Sequence, residues 1–311
     1  MDFNKFKELY QKKEVQHFQH QVTSKPLVSV LVQAYNHEFY IKQCLDAILA
    51  QKTNFDFEIL LGEDVSTDKT REICLEYAQN YPKKIRLFLH HPANKIRVMD
   101  VVTGNFNAFY NLYKARGKYI AFCEGDDYWT DPLKLQKQVD FLEIKSDFAL
   151  SYHRFEEKFE QSSKKIEQLS LEQPKQDLNK NELSALIYHP LFSTVCFRNY
   201  LKDLPEEVMQ VINVDSFLLS MLGTFGKAKF QSEISASVYR RHPRGIWTRK
   251  NREIQLLTKI LLFKNLVSYY KDKSLTRNFQ SNLKNTRKML LVLYLKSGMP
   301  IKAVRLIPKL L

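Results

Sequence analysis

The chain has 311 residues, of which 44% are apolar, and a formal net charge of +14. This length and this apolar content are enough for one large globular domain with an appendage. No run of about eighteen apolar residues occurs, which argues against a membrane-spanning helix. From residue 250 onward fourteen Lys or Arg residues face only two acids, so most of the positive charge lies in the C-terminal segment.

The N-terminal segment is polar and lacks the apolar centre of a signal peptide, so it predicts a polar leader helix over residues 1–25. The cysteines stand singly, without the CxxC spacing of zinc sites or redox pairs. They are Cys44, Cys74, Cys123 and Cys196. Single cysteines of this kind are typical of core residues in a reducing compartment, so we expect a cytoplasmic protein.

Strand-like and helix-like segments alternate from residue 26 to residue 150. Continuous apolar, β-branched runs predict buried parallel strands, and the amphipathic stretches between them predict helices. The predicted strands are 28–33, 57–62, 85–90 and 118–125, and the predicted helices are 41–51, 66–81, 105–115 and 132–143. The alternation predicts an α/β fold with a mostly parallel central sheet flanked by helices. Such sheets bind ligands beyond the carboxyl ends of their strands.

The pattern loosens after residue 150. A charged stretch, 153–182, predicts an exposed excursion, and apolar order returns with a strand over 191–198 and a helix over 214–226. Residues 236–247 predict a strand that runs into a loop. The remaining residues, 250–311, predict long helices with a net charge of +12.

Three roles fit the basic C-terminal helices. They pack on the main domain with a solvated basic face, they contact an anionic membrane surface from the inner side, or they bind nucleic acid. No base-reading motif is present in the sequence, which disfavours nucleic acid.

The fourth predicted strand ends in a crowd of carboxylates. The stretch "YIAFCEGDDYW" brings Glu124, Asp126 and Asp127 within four positions. Their charges repel one another unless water, hydrogen bonds or a cation neutralises them. Mg²⁺ and Mn²⁺ prefer such oxygen ligands and keep positions for substrate phosphates. The alternative is an acidic turn that caps the helix at Pro132; Asp131 fits that role, but Asp126 and Asp127 do not.

Two other predicted strand ends carry polar side chains. Tyr35 and Asn36 follow the first strand, where they form either a simple turn or a surface on which a planar base stacks. Asp64 follows the second strand and can accept a hydrogen bond from a base N–H. Residues 66–68 are Ser, Thr and Asp, which suit N-capping of the next helix.

The ordered series "VSVLVQAYN", "EILLGEDVSTDKT", "GKYIAFCEGDDYWTDPLKLQKQ" and "YRRHPRGIW" resembles the family 2 glycosyltransferases with the GT-A fold. The resemblance implies a GT-A (Rossmann-like) domain over residues 26–248, followed by a basic helical extension over 249–311. It implies an inverting transfer of a hexosyl or N-acetylhexosaminyl group from a nucleotide diphosphate sugar, most often a UDP-sugar. The acceptor is a hydroxyl of a glycan, lipid-linked or protein-linked molecule, typically in polysaccharide biosynthesis at the cell envelope.

The resemblance also implies site residues. The nucleotide is held by Tyr35, Asn36, Asp64 and Glu124, and Arg71 and Arg97 are further basic candidates near the same edge. Glu124 replaces the usual aspartate, and Gln33 stands where the family often has proline.

The implied cation is Mn²⁺ or Mg²⁺, bound by Asp126, Asp127 and His242, with Asp126 as the direct ligand. The alternative for His242 is an ordinary surface-loop histidine. Arg240 and Arg241 are candidates for phosphate contacts. Trp247 either stacks on an acceptor sugar or seals the loop.

Asp215 stands where the family has its catalytic base, which takes the proton of the acceptor hydroxyl. The alternative is a carboxylate favoured by the dipole at a helix N-terminus. A different class of function also stays open, a non-catalytic nucleotide-sugar or nucleic-acid binding protein that uses the basic tail. Such a protein has no need of Asp215.

Several histidines show no ligand spacing and receive no role: His37, His90, His91, His153 and His189.

Overall fold

The computed structural model describes residues 1–159, 176–242, 251–306 and 308. The strands, in chain order, are β1 (Gln16–His17), β2 (Val28–Ala34), β3 (Phe57–Glu63), β4 (Ile85–Leu89), β5 (Arg97–Val98), β6 (Val101–Val102), β7 (Tyr119–Phe122), β8 (Phe148–Tyr152), β9 (Phe155–Phe159), β10 (Cys196–Arg198), β11 (Lys227–Phe230) and β12 (Ser237–Arg241). The helices are α1 (Phe3–Tyr10), α2 (Ile41–Leu49), α3 (Thr70–Asn80), α4 (Asn105–Lys114), α5 (Lys134–Ile144), α6 (Lys180–Ser184), α7 (Glu206–Met209), α8 (Val214–Phe225), α9 (Arg252–Tyr269), α10 (Lys273–Lys296) and α11 (Pro300–Leu306).

Eight of these strands form one sheet in the order β1-β4-β3-β2-β7-β10-β8-β11. The central strands β4, β3, β2 and β7 are mutually parallel, whereas β10 is antiparallel to both of its neighbours. The mostly parallel α/β sheet predicted from the alternation is therefore confirmed. A separate ribbon pairs β12 with β9 in parallel.

The central strands are apolar on both faces because helices cover both sides of the sheet. Val30 and Val32 of β2 pack with apolar residues of α2 and α3 on one face. Leu31, between them, points to the other face and packs with residues of α4, such as Phe106 and Phe109. The alternation of side chains along the strand thus supplies both layers of the core.

The register brings the carboxyl ends of β2, β3 and β7 to one edge of the sheet. Ala34 pairs with Glu63, and Leu31 pairs with Phe122. The loops that follow these strands therefore start side by side, and they carry the polar residues singled out in the sequence.

The N-terminal segment differs from the predicted leader. Its helix ends at Tyr10, and Gln16–His17 then adds a short antiparallel strand beside β4. Phe6 is fully buried in the main core against Phe106, with ring centroids 5.3 Å apart. The prediction of a single helix over 1–25 was wrong because isolated core residues, Phe6 and Val15, outnumbered by polar ones, fix the segment to the domain.

Two later predictions are met in part. The strand predicted over 191–198 is a 3₁₀ turn, Phe192–Thr194, followed by the three-residue β10. In the charged excursion, Phe155–Phe159 is a strand that pairs with Ser237–Arg241, and residues 160–175 lie outside the described part.

The C-terminal helices pack on the domain. Leu262, Leu266 and Phe279 belong to the main core. The hydroxyl of Tyr270 donates to the backbone oxygen of Ser220 on α8 at 2.8 Å. Within the described ranges, no helix is long and apolar enough to cross a bilayer.

The burial of Phe6 predicts that the first ten residues stabilise the whole domain. We expect Phe6→Ala to lower the free energy of unfolding by about 3 kcal/mol or more, because a buried aromatic ring is replaced by a cavity. Leu9→Ala, at a 45% exposed position of the same helix, is the matched control and should cost less than about 0.5 kcal/mol. Urea unfolding measures the free energy of unfolding of both variants. A cost of Phe6→Ala as small as that of Leu9→Ala would show that α1 contributes nothing to the core.

Candidate active site

The acidic loop after β7 is tied to the end of β2. The backbone N–H of Gly125 donates to the oxygen of Gln33 at 3.0 Å, and that of Asp127 donates to the oxygen of Glu124 at 2.9 Å. A Cβ at position 125 would lie 2.7 Å from Nδ1 of His37 and 2.8 Å from the Gln33 oxygen. Glycine therefore lets the loop approach the neighbouring turn closely enough to bring its carboxylates to the edge of the sheet.

Asp126 faces two imidazoles. Its Oδ2 lies 3.0 Å from Nε2 of His242, which follows β12, and 3.7 Å from Nε2 of His37, which follows β2. Burial raises the pKa of the Asp126 carboxyl, but the two histidines outweigh burial and leave that pKa below its usual value. Asp126 is thus a carboxylate at neutral pH. Burial also lowers the pKa of His37, which favours the neutral imidazole.

Burial and the crowding of the carboxyls raise the pKa of the two others in the loop, Asp127 and Glu124. Burial, then the charge of Asp126, raises the pKa of Asp127 well above its usual value, although its Oδ1 accepts the backbone N–H of Arg240 at 3.0 Å. Burial, followed by the charges of Asp126 and Asp215, raises the pKa of Glu124 to about 8. These three acids are therefore only partly neutralised by protein groups.

Arg240 holds this loop in place. Its guanidinium donates to the backbone oxygen of Asp126 and to the side-chain oxygen of Gln43 on α2. It also lies over the rings of Tyr128 and Tyr40, at 4.5 and 5.3 Å from the centroids. The predicted phosphate contact of Arg240 stays a prediction, and the contacts present are those of a residue that positions the acidic loop.

A second group of side chains lies at the ends of β2 and β3. Nζ of Lys95 is 3.5 Å from Oδ2 of Asp64 and 4.2 Å from the ring centroid of Tyr35. Burial raises the pKa of Asp64 to about 6, against the opposing effect of Lys95. Tyr35 is 42% exposed. The three residues form an open aromatic surface beside a carboxylate, which can stack a planar base and accept its N–H.

Asn36 connects the first loop to the second. It adopts a positive φ of 55°, a conformation that asparagine tolerates better than most residues. Its backbone N–H donates to Oγ of Ser66 at 3.0 Å, and its Oδ1 accepts the N–H of Thr67 at 2.8 Å. The turn interpretation of Asn36 thus has direct support, and its contact with a nucleotide stays a prediction.

Arg71 anchors the second loop from the side of α3. Its Nε donates to Oε2 of the buried Glu63 at 2.6 Å, and the other oxygen of Glu63 accepts the N–H of Ser66 at 2.6 Å. Arg71 therefore stabilises the turn that carries Asp64.

Asp215 lies in the first turn of α8, as predicted. Its Oδ2 is 3.4 Å from Nε2 of His189, and its side chain is 39% exposed. The same ring nitrogen of His189 is 2.9 Å from Oγ of Ser216. Because the charge of Asp215 contributes to the raised pKa of Glu124, the two carboxyls belong to one electrostatic site.

The other predicted residues lie elsewhere. Arg241 makes a two-pronged ion pair with Glu157 of β9, at 2.6 and 2.8 Å, so its guanidinium is engaged away from the carboxylates. Arg97 is in the exposed β5–β6 hairpin and donates to the backbone oxygen of Asp100. Trp247 lies outside the described residues.

The glycosyl transferase family 2 model matches residues 29–204. The chain belongs to glycosyl transferase family 2. An uncharacterized protein of Mycobacterium tuberculosis is 37% identical to this family 2 chain over 222 residues, which are 71% of this chain and 60% of that protein. The uncharacterized glycosyltransferase EpsJ of Bacillus subtilis is 37% identical over 105 residues, 33% of this chain and 27% of that one. The chain thus spans 60% of the length of the mycobacterial relative.

Two solved structures share the fold of this family 2 chain. TarS 1–349 of S. aureus, in complex with UDP-GlcNAc, superposes with a TM-score of 0.58 at 17% identity, covering 84% of this chain and 72% of that chain. The mannosyltransferase PcManGT from Pyrobaculum calidifontis, in complex with GDP-Man and Mn²⁺, gives 0.56 at 15% identity, covering 96% and 83%. The predicted GT-A fold is confirmed.

The pKa of Glu124 predicts how the stability of the cation-free protein changes with pH. Its pKa is about 8 in the folded chain and 4.5 ordinarily, so the folded state holds the proton between these values and the unfolded state does not. The stabilisation is complete below pH 4.5 and is lost as the pH rises towards 8. Glu124→Gln should therefore make the slope of unfolding free energy against pH less negative, by up to about 1.4 kcal/mol per pH unit.

Urea unfolding in EDTA, at several pH values between about 5 and 7.5, measures this slope. Glu143→Gln is the control, because hydrogen bonding to Lys118 lowers the pKa of Glu143 and keeps its titration below this window. The same slope for wild type and Glu124→Gln would mean that Glu124 is ionised throughout.

Proposed function

We propose that this family 2 chain is an inverting, metal-dependent glycosyltransferase that uses a nucleotide diphosphate sugar, with a UDP-sugar as donor. One observation carries the proposal: the Asp126–His242 pair and the Tyr35–Asp64 surface belong to loops after neighbouring strands of the sheet, and the charge of Asp215, in the first turn of α8, acts on Glu124 of the acidic loop. TarS holds UDP-GlcNAc and PcManGT holds GDP-Man with Mn²⁺, and these ligands support a nucleotide sugar as donor.

The residues of the acidic loop fit Mn²⁺ or Mg²⁺. In the described part of the chain, no three His, Cys, Asp or Glu side chains form a complete cage. A cation that keeps positions for substrate phosphates needs only one or two carboxylates from the protein. Asp126 and Nε2 of His242 would hold it, with Asp127 beside them. When bound, the cation neutralises the negative charge of the departing diphosphate.

Asp215 is the proposed catalytic base. The acceptor hydroxyl gives its proton to the Asp215 carboxylate while its oxygen forms a bond to the anomeric carbon of the donor sugar. The bond between that carbon and the diphosphate oxygen breaks, and the electron pair leaves with the diphosphate. A single displacement of this kind inverts the configuration. The 39% exposure of Asp215 leaves room for an acceptor, and His189 orients the carboxylate.

The acceptor is proposed to be a glycan or lipid-linked hydroxyl in the synthesis of a cell-envelope polysaccharide, and the transferred group a hexosyl or N-acetylhexosaminyl residue. The proposed location is the cytoplasm, which the free, buried state of all four cysteines supports.

Metal-dependent hydrolysis of a panel of nucleotide sugars tests the donor without knowledge of the acceptor. No hydrolysis or binding of any nucleotide sugar, with or without Mn²⁺, would overturn the proposal.

The cation assignment predicts the behaviour of Asp126→Asn. We expect its Mn²⁺ affinity to fall by more than about 100-fold, because even changes outside the ligand shell cost about 10- to 100-fold. Calorimetric titration of UDP with and without Mn²⁺ should show metal-dependent binding for wild type and none for the variant. Asp140→Asn, at an exposed position of α5, is the control and should behave as wild type. Unchanged metal dependence in Asp126→Asn would remove Asp126 as a ligand.

The base assignment predicts a different result for Asp215→Asn. The variant should bind donor as wild type does and transfer sugar about 10²- to 10⁴-fold more slowly, because the acceptor proton loses its base. Asp203→Asn, at an exposed position between β10 and α7, is the control. Normal transfer by Asp215→Asn would place the base elsewhere, and donor binding without any transfer by wild type would favour a non-catalytic nucleotide-sugar binding protein.

A further inference from the structure

α10 and α11, which pack on each other, both carry exposed aliphatic side chains together with basic ones. We refer to these side chains as the basic apolar face, which consists of Lys288, Val292, Leu295, Lys296, Ile301 and Val304. The four members on α10 follow helical spacing, so they lie on one side of the helix. The opposite side of α10 packs inward, with Leu290 and Tyr294 buried.

The exposure of the aliphatic members is unusually high. Val292 is 49% exposed, Leu295 61%, Ile301 70% and Val304 63%. A solvated basic helix face needs lysine and arginine but gains nothing from four aliphatic side chains in water. Clusters of exposed apolar residues on a folded domain mark a surface that another molecule covers.

The charge around this face is of one sign. Residues 273–306 contain eight Lys or Arg and no Asp or Glu. The two acids of the C-terminal segment are used within it. Glu253 accepts from Lys302 at 2.9 Å and from Tyr294 at 3.0 Å, and Asp272 caps α10 by accepting the N–H of Leu275 at 2.9 Å. Neither acid belongs to the basic apolar face.

The charge and the exposed aliphatic side chains indicate which molecule covers the basic apolar face. A second copy of the chain would bring an identical positive surface against this one, and like charges oppose such a symmetric contact. An anionic lipid bilayer accepts both components, since lysines bind headgroup phosphates and aliphatic side chains enter the boundary of the acyl region. We propose that the basic apolar face docks on an anionic lipid bilayer, with α10 and α11 lying on its surface.

The docking surface is joined to the candidate active site through packed helices. α10 packs on α9, and Tyr270, directly after α9, bonds to Ser220 of α8, the helix that begins beside Asp215. Membrane docking as proposed does not require the proposed glycosyl transfer. Its test therefore uses binding alone and gives an answer whether or not the chain transfers sugar.

The test is sedimentation of the full chain with vesicles of phosphatidylcholine, with or without phosphatidylglycerol. Wild type should sediment with the mixed vesicles and should not sediment with vesicles of pure phosphatidylcholine. Lys288→Glu combined with Lys296→Glu should weaken binding about 30-fold or more, from about fivefold for each lysine. The control combines Lys12→Glu with Lys83→Glu, two exposed positions of the main domain, which changes the net charge equally and should bind like wild type.

A second variant isolates the apolar component. Leu295→Gln combined with Ile301→Gln keeps every charge and should weaken binding about tenfold or more. It should also lose the fraction of binding that resists high salt, because salt screens only the electrostatic attraction. Thermal melts by circular dichroism check that every variant is folded, and UDP calorimetry checks that its main domain is intact.

Five results would overturn the proposal. Wild type fails to bind the mixed vesicles, or the variants of the face bind as tightly as wild type. The face and control charge variants lose binding equally, which assigns the effect to net charge. A concentration-dependent dimer that the Leu295→Gln, Ile301→Gln variant abolishes assigns the face to a second copy. Binding to soluble poly-glutamate as tight as to vesicles, and unchanged in that variant, assigns it to an acidic protein.

Discussion

The site depends on how the chain neutralises carboxylates that end a buried strand. Asp126 is held between two imidazoles, and Asp127 accepts a backbone N–H from Arg240, yet the pKa of Glu124 stays raised. The protein thus satisfies part of this negative charge and leaves part for a ligand. A charge imbalance of this kind costs stability in the free protein and increases the gain from binding the cation that we propose for this loop.

Much of the fold and part of the site could be predicted from the sequence. Continuous apolar strands and regular helices impose a parallel sheet, and a parallel sheet brings successive strand ends to one edge. This logic singled out Asp64 and Asp126, which follow β3 and β7 on either side of β2, whereas Asp215 was singled out by the family resemblance. The prediction depends only on the period of apolar residues in each segment and on the direction of the strands, and both can be inferred from short stretches of the chain.

The sequence did not indicate partners that depend on side-chain direction. His37 received no role, yet the turn after β2 brings its Nε2 within 3.7 Å of Oδ2 of Asp126. Lys95 follows a short 3₁₀ turn after β4, and its Nζ lies 4.2 Å from the ring centroid of Tyr35. Arg240 and Arg241 are adjacent in sequence, but successive strand residues point to opposite faces, so one meets the acidic loop and the other meets Glu157. No short spacing motif records such contacts, because they join segments far apart in the chain.

The β9–β12 ribbon gives the site a thermodynamic coupling. His242 follows this ribbon and Arg240 belongs to it, whereas Asp126 and Asp127 follow the main sheet. Any ligand that tightens the contact between these two pairs also holds the ribbon against the sheet. By reciprocity, whatever loosens the ribbon weakens the binding of that ligand by the same factor.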